Sequence, residues 1–259
     1  METGKTIGFI GGGRVVKIIL TAFKKKDILF QDTVVYDPDE RVLDGLQELF
    51  PLIKTSKNDI SAVSDKDLIF LAVHPPVVTD ILKSLRPLKP ASIFISLVPK
   101  FKMDKLSESL NGFSRIVRMI PNAPSCVCKG YNPIVLSDTI QKDDLELLLR
   151  ILAALGESPI VEEDLLEAYA IITGMGPTYF WPQINKLKEL AMSFGIDGNQ
   201  AEEAIAKMLT GSVTAIFESG LPADVVMDLI PVYPLKEIES QLLEAYDLKL
   251  SSLFEKLKS

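Results

Sequence analysis

Three consecutive glycines, Gly11-Gly12-Gly13, stand between the apolar run Thr6-Ile7-Gly8-Phe9-Ile10 and a stretch, Val15 to Phe23, whose apolar residues recur at helical spacing. Strand, tight turn and helix in that order open a βαβ unit. The glycines let backbone amides approach a pyrophosphate, and the helix dipole favours negative charge at the same place. Gly11, Gly12, Gly13, Arg14 and Val15 are therefore candidate dinucleotide-binding residues. The third glycine of the usual fingerprint is Val16, which sets the helix slightly off the strand. A glycine turn without a ligand is the structural alternative.

A second β-branched run, Val34-Val35-Tyr36, ends in Asp37-Pro38, and Asp39 to Phe50 carries Val42, Leu43, Leu46 and Leu49 on one helical face. Further buried strands are expected at Leu68 to Val73, Ser92 to Leu97 and Ile116 to Met119, with a helix from about Pro76 to Leu85. Uninterrupted apolar strands alternating with helices predict a parallel sheet covered on both faces. Asn132 to Leu136 and Ser158 to Val161 read as edge strands around a helix from Lys142 to Leu155. Beyond Glu162 the periodicity is helical throughout: Leu165 to Gly195, interrupted at Gly174-Met175-Gly176-Pro177, then Asn199 to Ser219, Ala223 to Leu229 and Leu235 to Leu257. The expectation is an α/β Rossmann domain over residues 1–162, with a mostly parallel doubly wound sheet, and an all-α substrate and dimerisation domain over 163–259.

With 47% apolar residues in 259, the chain has enough material for a large core. Its net charge of −7 and the lack of a long basic run argue against nucleic acid and for a small molecule or another protein as partner. No signal peptide is legible and no apolar run reaches the ~20 residues of a membrane helix, so a soluble, cytoplasmic protein is expected. Cys126 and Cys128 form a C-x-C pair with no partnering ligands, and His74 is the sole histidine, so no metal site is expected.

Asp37, at the end of the second strand, suits the ribose hydroxyls of NAD and repels the extra phosphate of NADP. NAD or NADP is thus the expected cofactor, with NADH favoured. An ordinary turn with a helix cap is the alternative explanation of Asp37-Pro38-Asp39, and Arg14 or Arg41 could compensate a 2′-phosphate.

Four blocks, Ile7-Gly8-Phe9-Ile10-Gly11, Leu71-Ala72-Val73-His74-Pro75, Arg118-Met119-Ile120-Pro121-Asn122-Ala123-Pro124 and Gly174-Met175-Gly176-Pro177-Thr178-Tyr179, resemble the pyrroline-5-carboxylate reductases in order and spacing. The resemblance runs from about Thr6 to Leu221. It implies an NAD(P)H-dependent imine reduction, a dimer through intertwined C-terminal helices, and Ala72, Val73, His74 and Pro75 at a strand end beside the nicotinamide. That family usually carries lysine where His74 stands, often glutamate at Asn185, and serine at Met175. Its hydroxyl-rich and glycine-rich carboxylate loop is replaced by Ile230-Pro231-Val232-Tyr233-Pro234-Leu235-Lys236-Glu237, in which two prolines lack amide protons. Leu97-Val98-Pro99-Lys100-Phe101 replaces a small, glycine-bearing segment.

Four residues are candidates for the chemistry. His74 is placed to donate a proton as hydride arrives. Asn122, in a proline-flanked turn, could orient the nicotinamide carboxamide or a substrate carbonyl. Thr178 and Asn185, after the Gly176-Pro177 kink, could present polar groups to substrate, while Trp181 reads as packing or dimer contact. The expected activity is reduction of a cyclic imine, imino acid or small carbonyl compound. The alternative is a catalytically weak dinucleotide-binding sensor or interaction protein.

Overall fold

In the computed structural model, which describes residues 1–258, β1 (Thr6–Ile10) runs directly into the glycine turn and then α1 (Arg14–Lys25). The unit continues with β2 (Asp32–Tyr36), α2 (Glu40–Leu49), β3 (Lys54–Ser56), α3 (Ser61–Ser64) and β4 (Leu68–Leu71). After a 3-10 turn at Pro75–Val77 come α4 (Val78–Ser84), β5 (Ile93–Ser96), α5 (Met103–Ser109) and β6 (Ile116–Met119). Beyond a 3-10 segment at Ala123–Val127 lie β7 (Gly130–Tyr131), β8 (Ile134–Leu136), α6 (Lys142–Leu152) and β9 (Gly156–Glu157).

Among the described residues seven strands form one sheet in the order β3-β2-β1-β4-β5-β6-β8, parallel throughout except for the β6–β8 pair. The expected mostly parallel, doubly wound fold is borne out. Period-two alternation explains why both faces are apolar. Ile7, Phe9, Phe70, Ile95 and Val117 pack on one side with Val16, Ile19, Leu148 and Ile151 of α1 and α6. Ile10, Ile69, Leu71, Phe94 and Ile116 pack on the other with Val78, Leu82 and Leu106 of α4 and α5. Val16, standing for the third glycine, is fully buried in the first of these layers.

Several boundaries differ from expectation. β4 stops at Leu71, which leaves Ala72, Val73 and His74 in the loop beyond the sheet. The segment Ser158 to Val161 forms no strand: a single bridge joins Ile160 to Ile134, and the two-residue β9 pairs with β7 instead. α6 ends at Leu152, and β3, α3 and α5 are additions that short or weakly periodic sequence does not announce.

The remaining elements are a turn at Glu163–Leu165, α7 (Leu166–Tyr169), a π-helical turn at Ala170–Gly174, α8 (Pro177–Ser193), α9 (Gly198–Glu218), α10 (Ala223–Met227) and α11 (Lys236–Lys258). The chain divides into two compact units, one of Met1–Met175 with Phe254–Ser259 and one of Gly176–Leu253. The division thus falls after Met175 rather than after Glu162, because Leu166, Ala170 and Ile171 are buried in the first unit. No helix of the described residues is long and apolar enough to cross a membrane.

Candidate dinucleotide and substrate site

The strand order reverses direction at β1, whose neighbours are β2 and β4. Loops leaving the carboxyl ends of strands diverge at such a switch point, and the crevice between them is where open α/β sheets hold ligands. Gly11 there has φ +94°, and a Cβ added to it would lie 2.6 Å from the Ala72 carbonyl oxygen. A Cβ at Gly12 would meet Val42 Cγ1 at 2.9 Å. Both glycines are dictated by close approach to β4 and α2. Gly13 differs, since nothing lies within 4 Å of a Cβ built there, which leaves its backbone open to a phosphate. No side chain caps α1 and no acidic residue stands in its first turn. Its first-turn amides therefore have no side-chain partner on the helix itself, which fits a pyrophosphate.

Asp37 does two jobs at once. Its Oδ2 accepts the Gly12 amide at 2.8 Å and its Oδ1 accepts the Asp39 amide at 2.9 Å. The carboxylate therefore ties β2 to the glycine turn and caps the next loop, with lone pairs left over for ribose hydroxyls. Asp39 caps α2 through the Arg41 amide and also pairs with the Arg41 guanidinium at 3.0 Å. Arg41 is thus engaged, whereas Arg14, exposed at the start of α1, forms no ion pair within 4.0 Å.

At the end of β4, Ala72 donates its amide to Ile10 and Val73 is partly buried, so this pair presses against the glycine turn. His74 is exposed, and its carbonyl closes the Pro75–Val77 turn by accepting the Val77 amide. Two strands over, beyond β6, Asn122 is 9% exposed and heavily engaged. Its Nδ2 donates to the Thr173 carbonyl at 3.2 Å, its Oδ1 accepts the Tyr131 amide at 3.2 Å, and its backbone amide reaches Asn132 Oδ1 at 2.9 Å. The side chain knits the proline turn to the π-helical turn, leaving one Nδ2 hydrogen and one Oδ1 lone pair uncommitted.

Between β4 and β6 lies the loop leaving β5, and its anchoring is the feature the sequence expectations lacked. Arg118 on β6 has a side chain 1% exposed and pairs with Glu163 at 2.8 Å and Glu167 at 2.6 Å. Those carboxylates accept the Met103 amide at 2.8 Å and the Lys100 amide at 3.2 Å. One buried cation thus fixes the β5 loop and the α7 segment together. A charged residue inside the otherwise apolar strand Ile116-Val117-Arg118-Met119 was the available signal, since a buried guanidinium demands partners.

Thr178 and Asn185 belong to the second unit. Thr178 is exposed in the first turn of α8. Asn185 donates to Glu189 at 2.9 Å and lines a groove between α8 and α9 with Trp181, Lys188 and Glu202. Tyr179 packs edge-on against Tyr246 with ring centroids 5.9 Å apart, and burial, followed by the neighbouring phenol, raises its pKa. The Tyr233 hydroxyl of the altered loop is spent on the Met227 carbonyl and the Asp228 carboxylate. Among the described residues no group of three or more His, Cys, Asp or Glu side chains could hold a metal ion.

Known proteins add to this picture. A family model described as NADP oxidoreductase, coenzyme F420-dependent, matches residues 6–100. A pyrroline-5-carboxylate reductase of Methanosarcina acetivorans is 26% identical over 235 residues, spanning 89% of this chain and 85% of that protein. One from Escherichia coli is 25% identical over 229 residues, spanning 87% and 84% respectively. The crystal structure of a Plasmodium falciparum pyrroline carboxylate reductase with NADP bound matches with a TM-score of 0.83 at 19% identity, covering 100% of this chain and 98% of that one. The resemblance carried by the four sequence blocks therefore extends along most of the chain, in sequence and in fold.

Proposed function

We propose that this chain, pyrroline-5-carboxylate reductase-like in sequence and fold, is an NAD(P)H-dependent oxidoreductase that reduces a cyclic imine, imino acid or small carbonyl compound. The observation that carries the reading is the open Gly13 backbone at an uncapped helix N-terminus, set at the switch point of the sheet. Gly11, Gly12, Gly13, Arg14 and Val15 would receive the pyrophosphate, and Asp37 the adenosine ribose. NADH is favoured over NADPH because Asp37 keeps free lone pairs and Arg41 is held by Asp39, although Arg14 stays available to a 2′-phosphate. When bound, the nicotinamide supplies the hydride. Ala72, Val73 and Pro75 would shape its bay, and His74 would hold the proton that the reduced atom takes up. Asn122 acts chiefly by holding the turn, with its remaining Nδ2 hydrogen available to a carbonyl. Thr178 and Asn185 are the polar groups the helical domain would add.

The same reading makes the protein a cytoplasmic homodimer through its C-terminal helices. In the second unit only Ala201 and Ile205 are buried apolar side chains among the described residues, while Phe194 at 77%, Phe217 at 80% and Leu235 at 70% exposure stand in water. Apolar area of that kind marks a protein interface, and self-association is the commonest way to cover it.

A second reading, a dinucleotide-binding sensor with little turnover, draws on the replaced loop, whose prolines and engaged Tyr233 offer a carboxylate few donors. Titration with NADH and NADPH, followed by a scan of imines, imino acids and carbonyl compounds for loss of nicotinamide absorbance, separates the two. Micromolar binding with turnover is the expected result, and tighter binding of NADH than NADPH supports the Asp37 assignment. Binding without turnover selects the sensor, and failure to bind either dinucleotide overturns both.

A further inference from the structure

We infer that Asn132 is a positioning residue: it holds Asn122 so that the free Nδ2 hydrogen of that side chain meets the carboxamide oxygen of a bound nicotinamide. The inference rests on the oxidoreductase reading above. Asn132 follows β7 and is wholly buried. A primary amide taken out of water is costly unless its polar atoms are paired, so a buried asparagine in a loop is explained by what it binds. Its Oδ1 accepts the Asn122 amide at 2.9 Å and the Ser125 hydroxyl at 2.9 Å, which uses both lone pairs. The Ser125 amide returns to the Asn122 carbonyl at 3.1 Å. Asn122, Ser125 and Asn132 thus close a ring of hydrogen bonds around the proline turn.

The stretch that carries Asn132 also sets the Asn122 side chain. Tyr131, its neighbour, donates the amide that Asn122 Oδ1 accepts at 3.2 Å. Asn132 is itself moored, since its amide donates to the Glu157 carbonyl at 2.8 Å and its Nδ2 faces the same oxygen at 3.5 Å. Pro133 keeps the Asn132 backbone extended. The packing leaves no slack, because a Cβ added to Gly130 would clash with Ser125 Oγ and lie 2.6 Å from Asn132 Nδ2. With Oδ1 on Tyr131 and Nδ2 on Thr173, the plane of the Asn122 amide is fixed and its remaining N–H has one direction. The turn leaves the carboxyl end of β6, on the same edge of the sheet as the glycine turn, and the Ala123–Val127 segment lies against α1. A directional contact needs its donor held to about 0.5 Å, which is what such a supporting ring supplies.

Dinucleotides that differ at the carboxamide test the assignment. The ligands are NADH, its reduced thionicotinamide analogue, in which sulfur replaces the carboxamide oxygen, and ADP-ribose, which lacks the nicotinamide. Their affinities are measured by calorimetry on the full-length protein for the wild type, Asn132→Ala, Asn132→Asp, Ser125→Ala, Asn122→Ala and the double variant Asn122→Ala/Asn132→Ala. The wild type should prefer NADH to the thio analogue by about fivefold, the worth of one hydrogen bond. Asn132→Ala should bring that ratio close to one while ADP-ribose affinity stays within about twofold, and Asn132→Asp, which keeps the accepting oxygen, should retain most of the preference. The double variant should match Asn122→Ala, because Asn132 acts through Asn122. Ser125→Ala opens the ring without emptying the site, so it should lower the ratio about twofold and carries the test where Asn132→Ala does not fold. An unchanged ratio in either variant, or equal weakening of all three ligands, overturns the assignment. A wild type that binds ADP-ribose and shows no preference overturns this inference alone, whereas one that binds none of the three overturns the dinucleotide reading with it.

Discussion

A single buried guanidinium holds the loop that leaves β5 in place. Arg118 satisfies two carboxylates from the α7 segment, and these in turn hold two backbone amides of the β5 loop. Removing one partner of a buried pair costs about 3–5 kcal/mol because the other charge is stranded in low dielectric. Glu167→Ala should fall near ~3 kcal/mol, the lower end, since Glu163 continues to compensate Arg118; urea unfolding measures it, and a change below ~1 kcal/mol would show the network to be idle. Asp67 is a quieter case. Desolvation raises its pKa, but the Thr6 amide at 2.8 Å and the Thr6 hydroxyl at 2.9 Å outweigh it, and the net shift is downward. A depressed folded-state pKa means stability that is present above the unfolded value and lost as pH falls through the folded one. Asp67→Asn should therefore cost about 1 kcal/mol at pH 7, with the gap to the wild type closing below pH ~4; a gap that stays constant on acidification would contradict the carboxylate's role. His74 is tested by turnover: His74→Ala should lower kcat by ~10² or more if the imidazole supplies the proton, and an unchanged rate removes it from that role.

At the scale of elements, the glycine turn shows why β1, α1 and β4 form one device. Gly11 is in the left-handed region with the Ala72 carbonyl 2.6 Å from where a Cβ would sit. Gly11→Ala must displace β4's exit or α1's entry, at a cost of about 1–3 kcal/mol for the backbone alone. It should also weaken NADH binding at least tenfold, by shifting the amides proposed to receive the pyrophosphate; retention of wild-type affinity in fluorescence titration would separate the turn from the ligand. Long, strongly periodic elements were legible in the sequence: β1, β2, β6, α1, α2, α9 and α11 lie within two residues of their expected bounds. The parallel sheet followed from uninterrupted apolar runs such as Leu68 to Leu71. Short elements were not legible, because Lys54–Ser56 and Ser61–Ser64 are too brief to show a period, and their pairing is decided by tertiary neighbours. The site divides the same way. Gly11 to Gly13 and Asp37 announce themselves through position after a strand, whereas the anchor of the β5 loop depends on Glu163 and Glu167, distant in sequence and joined only by folding. Asn122 was singled out as a group for the nicotinamide carboxamide or a substrate carbonyl, and nothing local foretold that its side-chain amide reaches the Thr173 carbonyl.

On the scale of the whole molecule, the two units have opposite economies. The first buries the apolar side chains at the centre of its sheet and the inward faces of its covering helices, from Ile7 at 0% to Leu155 at 0% exposure. The second exposes Phe217, Phe194, Leu235, Leu248 and Leu243, and its helices carry almost no core of their own. Helices below an adequate core size gain their stability from packing against something else, and conformational entropy otherwise unfolds them. A second copy of the chain supplies the missing surface in the reading proposed above. Folding and association are then linked, so the midpoint of thermal unfolding should rise with protein concentration, by several degrees between ~1 and ~100 μM. Sedimentation equilibrium should give twice the chain mass. Replacing Phe217 and Leu243 with glutamate places charges inside the expected interface without touching a buried residue of the first unit. That double variant should sediment as a monomer, lose the concentration dependence and melt earlier, while the dinucleotide affinity of the Rossmann unit persists. A wild type that sediments as a monomer with a concentration-independent midpoint would leave the helical surface to a different partner.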